Sequence, residues 1–295
     1  MMIVVGIPAY NEEKNIGSII AKISQKGFKV IVCNDGSDDL TGMISEKMGA
    51  TVINHQKNLG YGAAIMSIFL RAKEMGCDAL VTFDADGQHR VEDIQKVLEP
   101  LLRNEADIVV GSRFLNKDGK NIPKYRKLGI KAITKIANVS ANEKITDAQS
   151  GFRAYSKRVL EKIIPSEYGM GVSTEILIKA SKEGFKIREI PIVVLYGPDT
   201  STHHPVSHGF SVILSTMKFI SIEHPLKFYG VPGVIFLIIG LFFTVWTIQE
   251  FTHTRQIITN ISLIAIGSTI LGTMLMMTSI ILYSLVNVVR ERRSD

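Results

Sequence analysis

Along the first 190 positions, short apolar runs alternate with segments whose apolar residues fall three and four apart. Residues 3–7, 29–33, 79–83 and 107–110 read as buried strands, and 51–54 as a shorter one. Between the first two runs, Ile16, Ile19, Ile20 and Ile23 keep helical spacing, and Gly27 closes the segment. Asn11 is expected to cap this helix, with Glu12 and Glu13 in its first turn. Further helices are expected over 41–48, from 58–62 to about 75, and over 91–103. Strands alternating with helices predict an α/β domain: a mainly parallel sheet covered on both faces. Beyond 123 the pattern predicts a basic helix over 125–138 and a loop over 145–153 that turns at Ser150 and Gly151. A helix over 173–183 and a strand over 186–194 follow.

The last quarter changes character. Residues 228–248 contain no charge, and neither do 256–289. Each stretch exceeds the roughly 20 residues that cross a bilayer as a helix, and the second is long enough to tilt. Residues 208–222 are amphipathic, with Phe210, Ile213, Leu214, Met217 and Ile220 on one side. That segment either lies on the membrane or packs on the preceding domain. The expected division is a domain over 1–205, a juxtamembrane helix over 206–227, a two-helix anchor over 228–289 and a basic tail over 290–295. Lys218 and Lys227 precede the first span, and Arg290, Arg292 and Arg293 follow the second. The positive-inside rule therefore puts the domain and both termini in the cytoplasm, and the 249–255 connector outside. Residues 1–9 run straight into a strand and carry no signal-peptide pattern. Gly267, Ser268 and Gly272 pack either between subunits of a homo-oligomer or between the two spans.

The formal net charge is +6. It serves juxtamembrane anchoring to anionic lipid, a basic surface for phosphorylated substrates, or both. Cys33 and Cys77 form no metal or disulfide pattern. His203, His204 and His208 cluster without the spacing of a zinc site, and read as a surface loop.

Candidate chemistry sits where strands end. The 79–83 run delivers Asp84 and Asp86, one residue apart, to an exposed end. Magnesium and manganese favour oxygen ligands and share their shell with substrate phosphates. An isolated Asp-x-Asp is weak evidence. Here, however, the Pro8–Glu12 segment, Asp35 and Arg113 also follow strands. In open α/β sheets, ligands bind beyond the carboxyl ends of the strands. Four strand ends thus converge on one crevice.

Six motifs, IPAYNEE (7–13), VCNDGSDD (32–39), NLGYGAA (58–64), DADGQH (84–89), VGSRF (110–114) and DAQSGFR (147–153), occur in that order. With them the chain resembles the family 2 inverting glycosyltransferases of GT-A fold, over roughly residues 1–200. It is most similar to the polyprenyl-phosphate sugar transferases of the dolichol-phosphate mannose synthase type. The resemblance implies a nucleotide-sugar donor, a polyprenyl phosphate acceptor, Mg2+ or Mn2+, a membrane location and no nucleic-acid partner. By the same resemblance Pro8, Tyr10 and Glu12 line the nucleotide pocket, and Asp35, with Cys33 beside it, contacts base or ribose. Asp84 and Ala85 continue that surface, Asp86 with Gln88 holds the metal, Arg113 reaches a phosphate, and Lys179 occupies a phosphate-binding position. Residues 196–205 lack the Arg and Lys that mannose synthases carry there, which bears on the identity of the sugar.

A lipid phosphate is already anionic near neutral pH, so this transfer requires no general base. It requires cations that hold two anions together: Arg113, Arg126, Arg153 and Lys179 are the candidates. Arg126 either binds the acceptor or faces anionic lipid. Arg153 either binds phosphate, caps a turn or pairs with Asp147, and His89 either serves the site or starts the next helix. Two alternatives to a lipid-sugar transferase are a processive polysaccharide synthase and a catalytically silent anchor. The only Trp, Trp246, lies inside a span, outside any Gln-x-x-Arg-Trp motif. Intact Asp84, Asp86 and Gln88 argue against a silent site.

Overall fold

A computed structural model describes residues 1–115, 134, 145–194, 217, 221, 225–256 and 258–294. It divides into two compact units, Met1–Thr216 and Met217–Asp295. The first contains strands β1 (Ile3–Ala9), β2 (Lys29–Asn34), β3 (Thr51–Asn54), β4 (Ala79–Thr82), β5 (Ile108–Ser112), β6 (Arg153–Ser156) and β7 (Ile187–Pro191). They form one sheet in the order β3-β2-β1-β4-β6-β5-β7. Every pairing is parallel except those of β6, which runs antiparallel to β4 and to β5.

Alternate side chains of these strands enter two cores. Val5, Val30, Val32 and Val81 meet the apolar faces of α1 (Ile16–Gln25) and α4 (Asp93–Leu102). Val4, Ile31, Leu80 and Ile108 meet α3 (Tyr61–Glu74), α5 (Lys157–Lys162) and α6 (Val172–Lys182). A short α2 (Thr41–Lys47) joins β2 to β3 on the α1 side, through Ile44. Because the central strands are buried on both faces, their sequences read as continuous apolar runs. The four isoleucines of α1 are all buried; each contributes on the order of 1.5–3 kcal/mol of transfer free energy.

The sheet departs from the expected pattern at two places. Residues 153–156, of which only Arg153 falls in the expected loop, form β6, whose four residues mix charge with apolarity and carry no strand period. Asn11 does not cap α1. It adopts φ 55° in a turn, and Asn15 stands at the N-cap, while Glu12 O accepts from Asn15 N and Ile16 N. The acidic pair Glu12–Glu13 is thereby held ahead of the helix. The basic helix expected over 125–138, the amphipathic segment 208–222 and the histidine cluster lie outside the described residues, apart from Thr134, Met217 and Ser221.

The second unit contains α7 (Val231–Thr254), entered through a π-helical turn at Leu226–Gly230, and α8 (Thr259–Ser294). Leu226–Thr254 and Thr259–Val286 are long and apolar enough to cross a membrane. Helix α7 runs through Gln249 and Glu250, and Arg255, at φ 55°, terminates it. The hydroxyls of Thr244, Thr247, Thr269, Thr273 and Thr278 each donate to the carbonyl four residues back. An apolar surround favours this, since it offers those hydroxyls no water. A Cβ on Gly272 would stand 2.8 Å from Leu237 N and 3.0 Å from Gly233 O. Gly272 therefore serves the contact between the two helices of one chain, whereas a Cβ on Gly267 would meet nothing within 4 Å.

One glycine of the first unit gives a test of the packing. A Cβ on Gly62 would collide with Glu167 O and lie 2.7 Å from Gly169 O, both backbone atoms. Gly62→Ala is expected to destabilise the chain by about 2 kcal/mol, read as a lowered thermal midpoint in detergent. An unchanged midpoint would mean that the 167–169 segment yields freely.

Candidate functional site

The crevice is assembled from loops that follow β1, β2, β4 and β5. The first two are stitched together. Asn11 N donates to Ser37 Oγ (3.0 Å) and Asp38 N to Asn11 Oδ1 (3.0 Å). Glu12 N donates to Thr41 Oγ1 (2.8 Å), Glu13 N to Asp39 Oδ2 (3.1 Å), and Leu40 N to Glu13 Oε2 (3.1 Å). Pro8 is buried and Tyr10 half-buried beside this seam. Asp35, 3 % exposed, accepts from Leu59 N (3.0 Å) and Gly60 N (2.8 Å), joining a third loop. Its Oδ1 also lies 2.6 Å from His55 Nδ1. Cys33 is fully buried, so its side chain backs Asp35 without reaching the crevice surface. Burial, then the Asp35 charge, pushes its thiol up to about 12.

The two aspartates after β4 are held differently. Asp84 Oδ1 accepts from the Tyr61 hydroxyl (3.2 Å), and His89 Nε2 lies 3.4 Å from Oδ2. Burial alone would raise the Asp84 carboxyl, but the His89 ring, the Tyr61 hydroxyl and the Arg113 charge hold it below its usual range. Asp86 Oδ1 accepts from Gln88 N (3.0 Å), which shapes the turn. The Ala85 side chain points into the core. Glu12 faces the same space: burial first, and then the charges of Asp86, Asp39 and Asp84, raise its carboxyl, against a lowering hydrogen bond from Asn15.

This donor set fits a hard divalent cation. It offers oxygens only, and the mutual repulsion of Glu12, Asp84 and Asp86 is what a bound cation relieves. Among the described residues no three His, Cys, Asp or Glu side chains form a complete metal cage. One or two carboxylates completed by substrate phosphates is the usual arrangement for magnesium.

Arg113 is fixed from behind. Its Nε and Nη2 donate to the two oxygens of Asp147 at 2.7 Å each, and its backbone N to Oδ2 at 3.1 Å. Asp147 is completely buried, and its own N–H donates to Glu189 Oε1 on β7 (2.9 Å). Burial would raise its carboxyl; the Arg113 charge and hydrogen bonds outweigh this and lower it. Arg153 is the other outcome of the same loop. Fully buried, it donates to the carbonyls of Ser150, Ser173 and Ala148 at 2.6–2.8 Å. It caps backbone, and it neither reaches a phosphate nor forms the pair with Asp147 that the sequence allowed. Lys179 Nζ is likewise engaged, with Ile164 O (2.8 Å), Ser166 Oγ (3.2 Å) and Glu175 (2.6 Å). It braces the 164–168 segment, whose Tyr168 carbonyl accepts from Gly62 N (2.8 Å). Arg126 lies outside the described residues. The structure thus brings Glu12, Asp84, Asp86 and Arg113 into one electrostatic group and gives Cys33, Lys179 and Arg153 supporting places.

Sequence reasoning missed His55 and gave no role to Tyr61. Both lie where the strand-end rule points: His55 directly follows β3, and Tyr61 opens α3. Gly151 also matters through what it omits. A Cβ there would lie 2.5 Å from Tyr61 Oη and 2.8 Å from both Asp84 oxygens.

Two outcomes follow from this geometry. Gly151→Ala is expected to displace the Asp84 carboxylate and weaken Mn2+ binding by about tenfold, the scale of disturbing a ligand's supporting contacts. Electron paramagnetic titration measures it, and an unchanged affinity would remove Asp84 from the metal's surroundings. Because the Asp147 carboxyl is lowered from 3.8 in the folded chain, its stabilisation is complete above about pH 4 and disappears as pH falls through the lower folded value. Asp147→Asn is expected to cost about 3 kcal/mol at pH 7, and to flatten the acid limb of the thermal midpoint against pH. A variant with the wild-type acid limb would contradict the assignment.

Comparison with known proteins identifies the family. The model of Glycosyl transferase family 2 matches residues 4–164. The UDP-N-acetylglucosamine–dolichyl-phosphate N-acetylglucosaminyltransferase of Methanococcus voltae is 33 % identical over 234 residues, covering 72 % of this chain and 91 % of that protein. The dolichyl-phosphate hexose transferase of Haloferax volcanii is 33 % identical over 220 residues, covering 74 % and 93 %. The crystal structure of glucosyl-3-phosphoglycerate synthase from Mycobacterium tuberculosis, in complex with Mn2+, uridine diphosphate and glucosyl-3-phosphoglycerate, shares the fold. It superposes with a TM-score of 0.58 at 21 % identity, covering 74 % of this chain and 79 % of that one. With its sheet of GT-A type and its acidic pair at the end of β4, the chain is a glycosyltransferase and belongs to glycosyl transferase family 2.

Proposed function

We propose that this enzyme transfers one sugar from a nucleotide-sugar to a polyprenyl phosphate, with its two apolar helices holding it at the membrane that carries the acceptor. The observation that carries the reading is the commitment of Asp147. A hydroxyl acceptor needs a carboxylate to take its proton as it attacks. Asp147, the acidic residue of the DAQSGFR loop, is buried, paired on both oxygens with Arg113 and lowered in basicity. A phosphate acceptor brings its own negative oxygen and needs no such base. The names of the two dolichyl-phosphate transferases support the same acceptor class.

In this reading a phosphate oxygen of the lipid attacks the anomeric carbon from the face opposite the leaving group. The bond from that carbon to the nucleoside diphosphate breaks, and both electrons leave with the diphosphate. A divalent cation, when bound, neutralises that departing charge. Asp86, with Gln88, would hold the cation. Asp84 orients the nucleotide side, fixed by Tyr61 and His89. Arg113, aimed by Asp147, stabilises phosphate charge as a planar fork suits. Pro8, Tyr10, Glu12 and Asp35 border the nucleotide. The basic flanks of the spans orient the catalytic domain and both termini toward the cytoplasm.

Purified full-length enzyme in lipid nanodiscs, supplied with UDP- and GDP-sugars, polyprenyl phosphate and Mn2+ or Mg2+, is expected to yield one lipid-linked sugar per acceptor. Chelation is expected to stop transfer. Asp86→Asn is expected to lower it at least about a hundredfold, the scale of losing a preorganised charge-stabilising group. Equal transfer by wild type and Asp86→Asn would refute the metal assignment, and elongation to a polymer would refute single transfer.

A further inference from the structure

We propose that His55 is a positioning residue for the nucleoside half of the donor, acting through Asp35. The proposal rests on the donor reading above. Strands β2 and β3 run in register, Asn34 opposite Asn54, so that Asp35 and His55 leave adjacent strand ends side by side. His55 N donates to Asn34 O (2.9 Å), which extends the ladder one step and fixes the backbone beneath the imidazole. The ring then bridges two polar groups. Nδ1 lies 2.6 Å from Asp35 Oδ1, and Nε2 lies 2.9 Å from Ser67 Oγ on α3. A carboxylate only accepts, so Nδ1 carries the proton. In the neutral ring Nε2 is then an acceptor, and the Ser67 hydroxyl donates to it. Cys33 Sγ, 3.5 Å from Nε2, closes the buried side.

Asp35 shows what this chain of bonds achieves. Oδ1 accepts from His55 and from Leu59 N, and Oδ2 accepts from Gly60 N. A carboxylate has about four acceptor positions. The described residues fill three of them, which leaves one position on Oδ2. Three donors, the His55 ring and the consecutive backbone amides of Leu59 and Gly60, hold the carboxylate against rotation, so that last position has a defined direction. It suits the N–H edge of a nucleobase or a ribose hydroxyl, and it gives nothing to a diphosphate, which carries no donor when ionised. His55 supplies the only side-chain donor of the three and ties Asp35 to α3. Its loss is therefore felt by the nucleoside and not by the metal-diphosphate arm at Asp84 and Asp86.

The test separates those two arms. Full-length protein in detergent micelles is titrated calorimetrically with UDP and GDP, and separately with inorganic pyrophosphate, each with Mn2+. His55→Phe keeps the ring volume and removes both hydrogen bonds. It is expected to weaken nucleoside diphosphate binding about tenfold or more, the scale of one hydrogen bond to a charged group. Pyrophosphate affinity and the KM for polyprenyl phosphate are expected to stay within about twofold of wild type, as neither ligand meets Asp35. His55→Asn, whose amide N–H falls near the Nδ1 position, is expected to recover most of the loss. Ser67→Ala, which keeps the ring, is expected to give an intermediate one of about threefold, the scale of a neutral hydrogen bond. A folded His55→Phe that binds nucleoside diphosphates as wild type does would overturn the proposal. So would equal losses toward nucleoside diphosphate and pyrophosphate, which mark a general structural role. If His55→Phe does not fold, Ser67→Ala decides, and wild-type nucleotide affinity there overturns the proposal. Wild-type protein that binds pyrophosphate but neither UDP nor GDP overturns the donor reading itself, whatever the variants do.

Discussion

The Asp147 carboxylate is sealed from solvent and gripped by both Nε and Nη2 of Arg113 at 2.7 Å. A buried charge of this kind is tolerable only when it is paired and hydrogen-bonded. Meeting that condition ties the end of β5 to the 145–151 loop, and through Glu189 to β7. The same loop returns as β6, whose Arg153 bonds back to Ala148 and Ser150 and across to Ser173. Its glycine at 151 leaves the space in which Asp84 and Tyr61 meet. One ion pair thus orders the wall opposite the acidic pair.

The acidic side is under the opposite stress. Glu12, Asp84 and Asp86 converge because parallel strands end together, and their charges oppose one another. The protein offsets this unevenly. Asp84 is compensated by Tyr61, His89 and Arg113, and remains readily ionised, while Glu12 is pushed toward protonation. The crevice therefore carries its charges unevenly, with Asp84 near the Arg113 charge and Glu12 near the charges of Asp86, Asp39 and Asp84.

Much of this was legible in the chain. Strand β1 and the two apolar helices follow from continuous apolar runs, and helix α1 from isoleucines at helical spacing. The acidic pair was legible because a buried strand delivers it to a strand end, where backbone geometry leaves few other places for it to go. The failures share a cause. Asn11 looked like a cap because caps and tight turns use the same residue types; its contacts with Ser37 and Asp38, 26 and 27 residues away, decided between them. Arg153 stayed open between a phosphate, a turn cap and Asp147, because a guanidinium bonds carbonyls as readily as phosphates. Residues 153–156 were not recognised as a strand, since a four-residue segment shows no period until neighbours on both sides supply one.

By itself the sequence determined the alternation of strands and helices, the apolar length of the C-terminal helices and the order of the motifs. These are properties of neighbours along the chain, and periodicity records them. Tertiary structure alone decided the antiparallel insertion of β6, the partition of the arginines between Arg113 in the crevice and Arg153 in the core, and the meeting of His55 with Asp35. Each of those depends on which groups lie within about 3 Å of one another, the range over which hydrogen bonds act. Residues 20 to 40 apart in the chain come that close only once the sheet has closed.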